Sequence, residues 1–366
     1  MTDLFTPLSF AHGPVMKNRY MLAPLTNCQS HADGRLSDDE FRWLTFRAKG
    51  GFGATMTCAA HVQRTGQGFP GQLGIFSDDH LPGLTRLAAA IKAEDSLALA
   101  QLHHAGMRSF ADLIGEAPHA PSDDEKTGAR ALTTAETEAL AEDFIEAAVR
   151  AERAGFDGVE IHGAHGYILC QYLSAETNRR DDRYGGFLEN RARIVTDILT
   201  GVRQRCRPDF LLGLRLSPER FGLQLAEILT LAEQVMGSGQ LDWLDMSLWD
   251  VFKTPFEEAF QSKPLLTWFA ELPRGATKLG VAGKIMSAAD ARHVLAEGAD
   301  FPITGRAAIL HHDLPRRVAA DPDFTPIKTP VTRAYLEAEG LSPAFVKYMG
   351  NWPGFVAEEA TVEAAG

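Results

Sequence analysis

The sequence predicts one α/β domain, residues 1–366, built as a (β/α)8 TIM barrel. Three observations predict it. Short apolar runs alternate with longer amphipathic stretches from residue 19 to about residue 312. A local phrase recurs three times: a helical stretch stops at glycine, an aspartate follows within three residues, and an apolar run begins. Gly155-Phe156-Asp157, Gly239-Gln240-Leu241-Asp242 and Gly298-Ala299-Asp300 are its three copies. Counting every such run gives eight, each followed by helical periodicity, which is the barrel pattern. A doubly wound sheet is the alternative. No Gly-x-Gly-x-x-Gly stands between a strand and a helix, which disfavours its dinucleotide-binding version.

Leu8-Ser9-Phe10-Ala11-His12-Gly13-Pro14-Val15 reads as a hairpin closing the barrel floor. The eight strands are expected at 19–25, 53–59, 97–102, 158–162, 211–216, 241–246, 277–281 and 301–304. The helix before the fourth strand has the clearest signals. Thr133-Thr134-Ala135-Glu136 is a capping box, in which hydroxyl and carboxylate satisfy orphan amide donors. Leu140, Phe144, Ala147, Ala148 and Ala151 follow at helical spacing, and Gly155 ends the helix as a left-handed cap. Pro302 removes a ladder hydrogen bond and blurs the bounds of the eighth strand.

About 250 residues suffice for a plain barrel. The barrel core occupies about residues 18–315. The surplus lies in the hairpin, in a His-, Pro-, Asp- and Gly-rich segment at 103–133, and in a C-terminal extension at about 326–366 carrying Tyr348-Met349-Gly350-Asn351-Trp352-Pro353.

The formal charge is −12, from 36 basic and 48 acidic residues, with 45% hydrophobic and 23% charged residues. That composition excludes a disordered chain, a collagen and a coiled coil. The acidic balance argues against a nucleic-acid surface. Cys28, Cys58, Cys170 and Cys206 lie far apart with no C-x-x-C pair, so they read as reduced thiols rather than zinc or iron–sulfur ligands. No secretory leader and no membrane-length apolar run is present, and a cytoplasmic location is expected. A homo-oligomer is compatible with the sequence but not specified by it.

Barrel chemistry sits at the C-terminal strand ends. Those ends read Pro24-Leu25-Thr26, Ala59-Ala60, Gln101, His162, Arg215, Gly283 and Gly305-Arg306. Amide, guanidinium, imidazole and backbone donors facing one mouth suit a polar planar ligand carrying a phosphate. Gly283, Gly305 and Arg306 are the candidate phosphate residues. Arg215 ends an apolar strand, so its guanidinium needs an acceptor: a strand carboxylate such as Glu160 or Asp245, or a ligand's developing negative charge. In His162-Gly163-Ala164-His165-Gly166-Tyr167 the two histidines could be metal ligands, a structural pair, or donors gripping a substrate oxygen beside Tyr167.

That stretch continues into Gln171-Tyr172-Leu173-Ser174, Asn178-Arg179-Arg180, Asp182-Arg183-Tyr184-Gly185-Gly186 and Asn190-Arg191. With Asn18-Arg19-Tyr20-Met21-Leu22-Ala23-Pro24-Leu25-Thr26 and Gln101-Leu102-His103-His104-Ala105-Gly106, it resembles the Old Yellow Enzyme family of FMN-dependent oxidoreductases over roughly residues 5–315. The resemblance implies FMN as cofactor and NADH or NADPH as reductant. It implies an electron-poor alkene, an enone or nitroalkene, as oxidant. It places Pro24, Leu25 and Thr26 along the flavin, Ala59 near its O4 side, Gln101 at the pyrimidine edge and Arg215 at N1 and O2. Gly283, Gly305 and Arg306 would hold the phosphate, and His162 and His165 the substrate oxygen. Tyr167 would deliver a proton to the substrate carbon.

Three departures stand out. Thr26 replaces the Cys of one branch that often carries the histidine pair. Ala175-Glu176-Thr177 replaces a usual Ser-Pro-rich continuation, and Lys284 stands where a second glycine is common. Within the resemblance, a demethylase or amine-oxidising relative is a second reading. A flavin- or phosphate-ligand-binding protein without turnover and a metal hydrolase are readings from other classes.

Overall fold

The computed structural model describes residues 3–358, so the last eight residues of the expected extension lie outside the described residues. Eight parallel strands close into a barrel: β1 (Met21–Leu22), β2 (Ala54–His61), β3 (Leu97–His103), β4 (Gly158–Gly163), β5 (Leu211–Leu216), β6 (Trp243–Ser247), β7 (Lys278–Ala282) and β8 (Phe301–Thr304). Each strand pairs with the next in chain order, and β8 returns to β1 with Ile303 opposite Met21. Helices such as Asp38–Lys49, Thr134–Arg153 and Ala288–Ala296 follow or precede the strands on the outside. This is the (β/α)8 barrel that the sequence predicts.

The recurring glycine–aspartate phrase has one structural meaning. Gly155, Gly239 and Gly298 all take positive φ, the cap conformation glycine adopts cheaply. Each following aspartate then bonds the start of the neighbouring strand. Asp157 accepts from the Ala98 amide at 2.9 Å, Asp242 from the Leu212 amide at 2.8 Å and Asp300 from the Leu279 amide at 2.8 Å. Those amides lie at or near the barrel's lower rim, where a carboxylate replaces the missing ladder partner. The helix at Thr134–Arg153 begins with the predicted capping box, Thr133 and Glu136 exchanging bonds of 3.2 and 2.8 Å.

Strand bounds differ from expectation chiefly at β1, which is two residues rather than seven. The Ala23 amide still bonds the Thr304 carbonyl at 3.0 Å, but Pro24 has no N–H to continue the ladder. β6 starts at Trp243 rather than 241 because Asp242 turns its carboxylate to the Leu212 amide and to Arg203 at 2.6 Å. β8 runs unbroken through Pro302, which sits opposite Val281.

The floor is sealed by the N-terminal segment, whose Leu8 and Met16 exchange backbone bonds of 2.8 and 2.9 Å. The predicted hairpin is reduced to this one bridge. Leu8 and Met16 pack with Met21, Met56, Leu99, Leu211, Trp243 and Phe301 inside the barrel. Gly213 makes room there: a Cβ would lie 2.0 Å from the Trp243 ring. With its floor filled, the barrel opens into a cavity at the opposite, C-terminal end.

Candidate active site

A cavity of about 490 Å³ occupies the C-terminal mouth. Pro24, Leu25, Thr26, Ala59, Gln101, His162, His165, Tyr167, Arg215, Gly283, Gly305 and Arg306 all line it. The alternation of strand residues explains why: side chains two apart share a face. Thus Glu160 and His162 on β4, and Asp245 and Ser247 on β6, point into the barrel as pairs.

One buried layer supports the cavity. Glu160 accepts from the Gln101 amide at 2.8 Å and from the Trp243 indole at 2.9 Å. Its neighbour Arg215 pairs with Asp245, Nε to Oδ2 at 3.0 Å. Burial pushes both carboxyls above the usual range, and Arg215 pulls them back. Arg215 is thus the ion-pair residue of one sequence reading, with Asp245 as its partner, and its guanidinium also lines the cavity. β2 carries a register shift between Met56 and Ala59, where the Thr57 hydroxyl takes the Gln101 amide at 3.2 Å. The Ala59 carbonyl, beyond the shift, accepts from Gln72 at 2.7 Å.

The histidines converge. His162 Nε2 lies 3.1 Å from His165 Nδ1, and His165 Nε2 lies 2.7 Å from Ser247 Oγ. Burial holds both pKa values well below the ordinary histidine value, with Arg215 adding to the effect. Both rings are therefore neutral at physiological pH. Tyr167 stands edge-on to His162 and His103, at ring distances of 5.2 and 4.4 Å, with the Arg108 guanidinium 4.6 Å over its face. Its hydroxyl has no hydrogen-bond partner among the described residues. No group of three His, Cys, Asp or Glu able to hold a metal occurs among the described residues.

Gly283 has φ of 147°, and a Cβ on it would lie 2.8 Å from the Asp250 amide, so close backbone approach requires glycine there. Lys284 follows at φ 53°, the left-handed region that favours glycine, and sends its ammonium to Asp250 at 2.8 Å. The backbone at Gly283 stays on the cavity wall. Gly305 and Arg306 stand on the adjoining wall, at the end of β8.

Sequence reasoning assigned no role to His103, Arg108, Phe69 or Ser247, all of which line the cavity. His103 and Ser247 had a signal, lying two residues beyond Gln101 and Asp245 on the same strand face. Arg108 and Phe69 come from long loops and had none. Tyr348, Met349 and Trp352 reach the mouth from the C-terminal extension, and Trp249 from the loop after β6. Burial raises the Tyr348 phenol, and its hydrogen bond to Thr26 opposes that.

Residues 3–323 match the model of the NADH:flavin oxidoreductase / NADH oxidase family. A probable NADH-dependent flavin oxidoreductase of Bacillus subtilis is 37% identical over 318 residues, covering 84% of this chain and 85% of that protein. An NADH:fumarate oxidoreductase of Klebsiella pneumoniae is 34% identical over 334 residues, 87% of this chain but 36% of that longer protein. Among solved structures, an old yellow enzyme homologue from Zymomonas mobilis superimposes with a TM-score of 0.79 at 26% identity, covering 95% of this chain and 99% of that one.

Proposed function

Because the chain belongs to the NADH:flavin oxidoreductase / NADH oxidase family, FMN-binding oxidoreductases that use NADH or NADPH, we propose that it reduces electron-poor alkenes such as enones and nitroalkenes. The observation that carries this reading is the pair of imidazole nitrogens 3.1 Å apart in the cavity, with an unbonded tyrosine hydroxyl beside them.

The residues fit FMN by their chemistry. Arg215 Nε faces Asp245 Oδ2 at 3.0 Å, and the guanidinium lines the cavity with Nη hydrogens left to donate to a ligand. Gln101 spends one amide hydrogen on Glu160 and retains its other hydrogen and its carbonyl for a pyrimidine edge. Pro24, Leu25 and Thr26 would flank the ring, and Ala59 would meet it through backbone. Gly283 and Gly305 amides with the Arg306 guanidinium would hold the phosphate. When bound, FMN supplies hydride transfer, taking hydride from NAD(P)H and giving it to the β-carbon of the alkene.

The chain's own residues do the rest. His162 and His165, neutral and converging, donate to the carbonyl or nitro oxygen and make the β-carbon electron-poor. Arg215 places a fixed positive charge at the cavity wall. Tyr167, held between His103 and Arg108, gives its proton to the α-carbon.

The test is anaerobic reduction of the purified protein by NADH or NADPH, then reoxidation with a panel of enones, nitroalkenes and amines. Reoxidation by enones supports the proposal. Reduction by an amine without reoxidation by any alkene refutes it.

A further inference from the structure

Four exposed aromatic side chains, Phe221, Trp249, Phe252 and Phe256, come from the two loops that follow β5 and β6 at the cavity mouth. Trp249 and Phe256 are 56% and 61% exposed, well beyond what packing requires. Arg220 lies among them, its guanidinium carbon 4.7 Å from the Trp249 ring centre and 5.8 Å from that of Phe256. A small cleft lined by His165, Ser247, Trp249, Arg220 and Phe221 joins this ledge to the main cavity, which shares the first three residues.

The backbone presents the ledge at a cost. Arg220, Phe221 and Trp249 take φ of 70°, 55° and 66°, the left-handed region that bulky side chains avoid. The turn is pinned from both sides. The Leu223 amide donates to the Arg220 carbonyl at 2.9 Å, and the Ser174 hydroxyl to the Gly222 carbonyl at 3.0 Å. Glycine or asparagine would hold these conformations more easily. What the present residues add is a cation and aromatic rings.

The cation is spare. Arg220 contacts the two rings and has no ion-pair partner among the described residues. Three carboxylates of the same loops are committed elsewhere. Glu219 bonds Lys253 and the Phe256 amide, Asp250 bonds Lys284, and Glu257 takes the Leu225 amide. In a chain of net charge −12, a free guanidinium on exposed rings is a local site for an anion attached to a planar base. The base stacks on the rings, and the guanidinium grips a phosphate in a fork.

We propose that Arg220, Trp249 and Phe256 receive the adenosine–phosphate end of the nicotinamide nucleotide while its nicotinamide enters the cavity. The inference goes beyond the alkene reading and rests only on the family's use of NADH or NADPH. Two phosphates have the required chemistry: the diphosphate common to both nucleotides, and the 2′-phosphate of NADPH alone.

The test titrates the FMN-loaded protein with tetrahydroNAD and tetrahydroNADP, which have the nucleotide's shape and give no hydride, and reads Kd by calorimetry. N-benzyl dihydronicotinamide, which reduces flavin but has no ribose, phosphate or adenine, is the control in stopped flow. Arg220→Asn suits the left-handed turn and removes the charge. It should weaken one or both analogues about tenfold or more, the scale of a charge-assisted contact, and flatten the rise of Kd with salt. Reduction by the control and FMN content should be unchanged. Loss for both analogues assigns Arg220 to the diphosphate; loss for tetrahydroNADP alone assigns it to the 2′-phosphate. Phe256→Ala should weaken both analogues about fivefold or more through lost stacking. Unchanged Kd values in Arg220→Asn overturn the proposal, as does a control slowed to the same degree or a wild type that binds neither analogue. A wild-type dimer that Phe256→Ala dissociates, with Kd unchanged, also overturns it and gives the ledge to a second copy of the chain.

Discussion

Arg215 and Asp245 face each other from paired positions on adjacent strands, guanidinium to carboxylate at 3.0 Å, at the base of the cavity. Glu160, also fully buried, feels the same cation. One guanidinium thus serves two buried carboxyls, and both have raised pKa values because burial penalises their charge.

Removing Arg215 should therefore be costly twice over. Arg215→Ala leaves buried carboxyls without their cation, a loss on the order of 3–5 kcal/mol at neutral pH. A carboxyl with a raised folded-state pKa holds its proton to higher pH than the unfolded chain does, so its contribution to stability falls as pH rises above the ordinary carboxylate range. Without Arg215 both values rise further. Denaturant titrations should show the gap between variant and wild type widening from about pH 5 to pH 8. A folded variant should also bind FMN more weakly and with a lower reduction potential. Equal stability at every pH, with unchanged potential, would assign Arg215 no role in either.

The purified protein should be yellow and should release FMN, not FAD, on denaturation. The proposed phosphate donors Gly283, Gly305 and Arg306 line one cavity, and the sequence shows no adenosine-binding fingerprint. Chromatography of the released flavin decides this. A colourless protein that takes up no added FMN would contradict the cofactor assignment.

The histidine pair should govern phenol binding. Phenols on oxidised flavin give a long-wavelength charge-transfer band, and His162→Ala with His165→Ala should abolish it while FMN stays bound. Acid sensitivity should follow from the same burial. His162 and His165 have lowered pKa values, and burial lowers His61 to about 4 and His104 to about 3. Such groups contribute stability that is present above the unfolded-state value near ~6.5 and lost as pH falls through the window below it. The loss between about pH 7 and pH 5 should be smaller in His162→Asn/His165→Asn than in the wild type.

Tyr167→Phe removes one proton and keeps the ring against His103 and Arg108. Flavin reduction by NAD(P)H should be near normal. Enone reduction should slow by roughly 10²–10⁴-fold, the scale of general acid catalysis. Nitroalkenes should suffer less, because a nitronate is stable enough to leave unprotonated. Stopped-flow measurement of the two half-reactions separates these outcomes. Equal enone rates would place the proton donor elsewhere.

Trp352 lines the mouth and is 46% exposed, so it contributes little to the core. Trp352→Ala should leave FMN content and thermal stability unchanged and raise KM for enones roughly fivefold, the scale of about 1 kcal/mol of lost contact. An unchanged KM across enones of different size would take Trp352 out of the substrate pocket.

Much of this molecule is written locally. Hydrophobic period, capping boxes and glycine stops mark the barrel elements, because each depends on residues within a turn or two of one another. Twelve cavity-lining residues were legible for the same reason: in a closed parallel barrel the strand ends face one mouth, so Gln101, His162 and Arg215 meet there without any knowledge of their contacts. The tertiary structure decided what local pattern cannot encode. It brought Ser247 to His165 and Asp245 to Arg215, set Arg108 over Tyr167, and folded Tyr348 back to Thr26. These contacts join elements far apart in the chain. Their geometry follows from strand register, from the register shift in β2 and from how the long loops and the C-terminal extension pack over the mouth, and none of these is fixed by the spacing of residues along one segment.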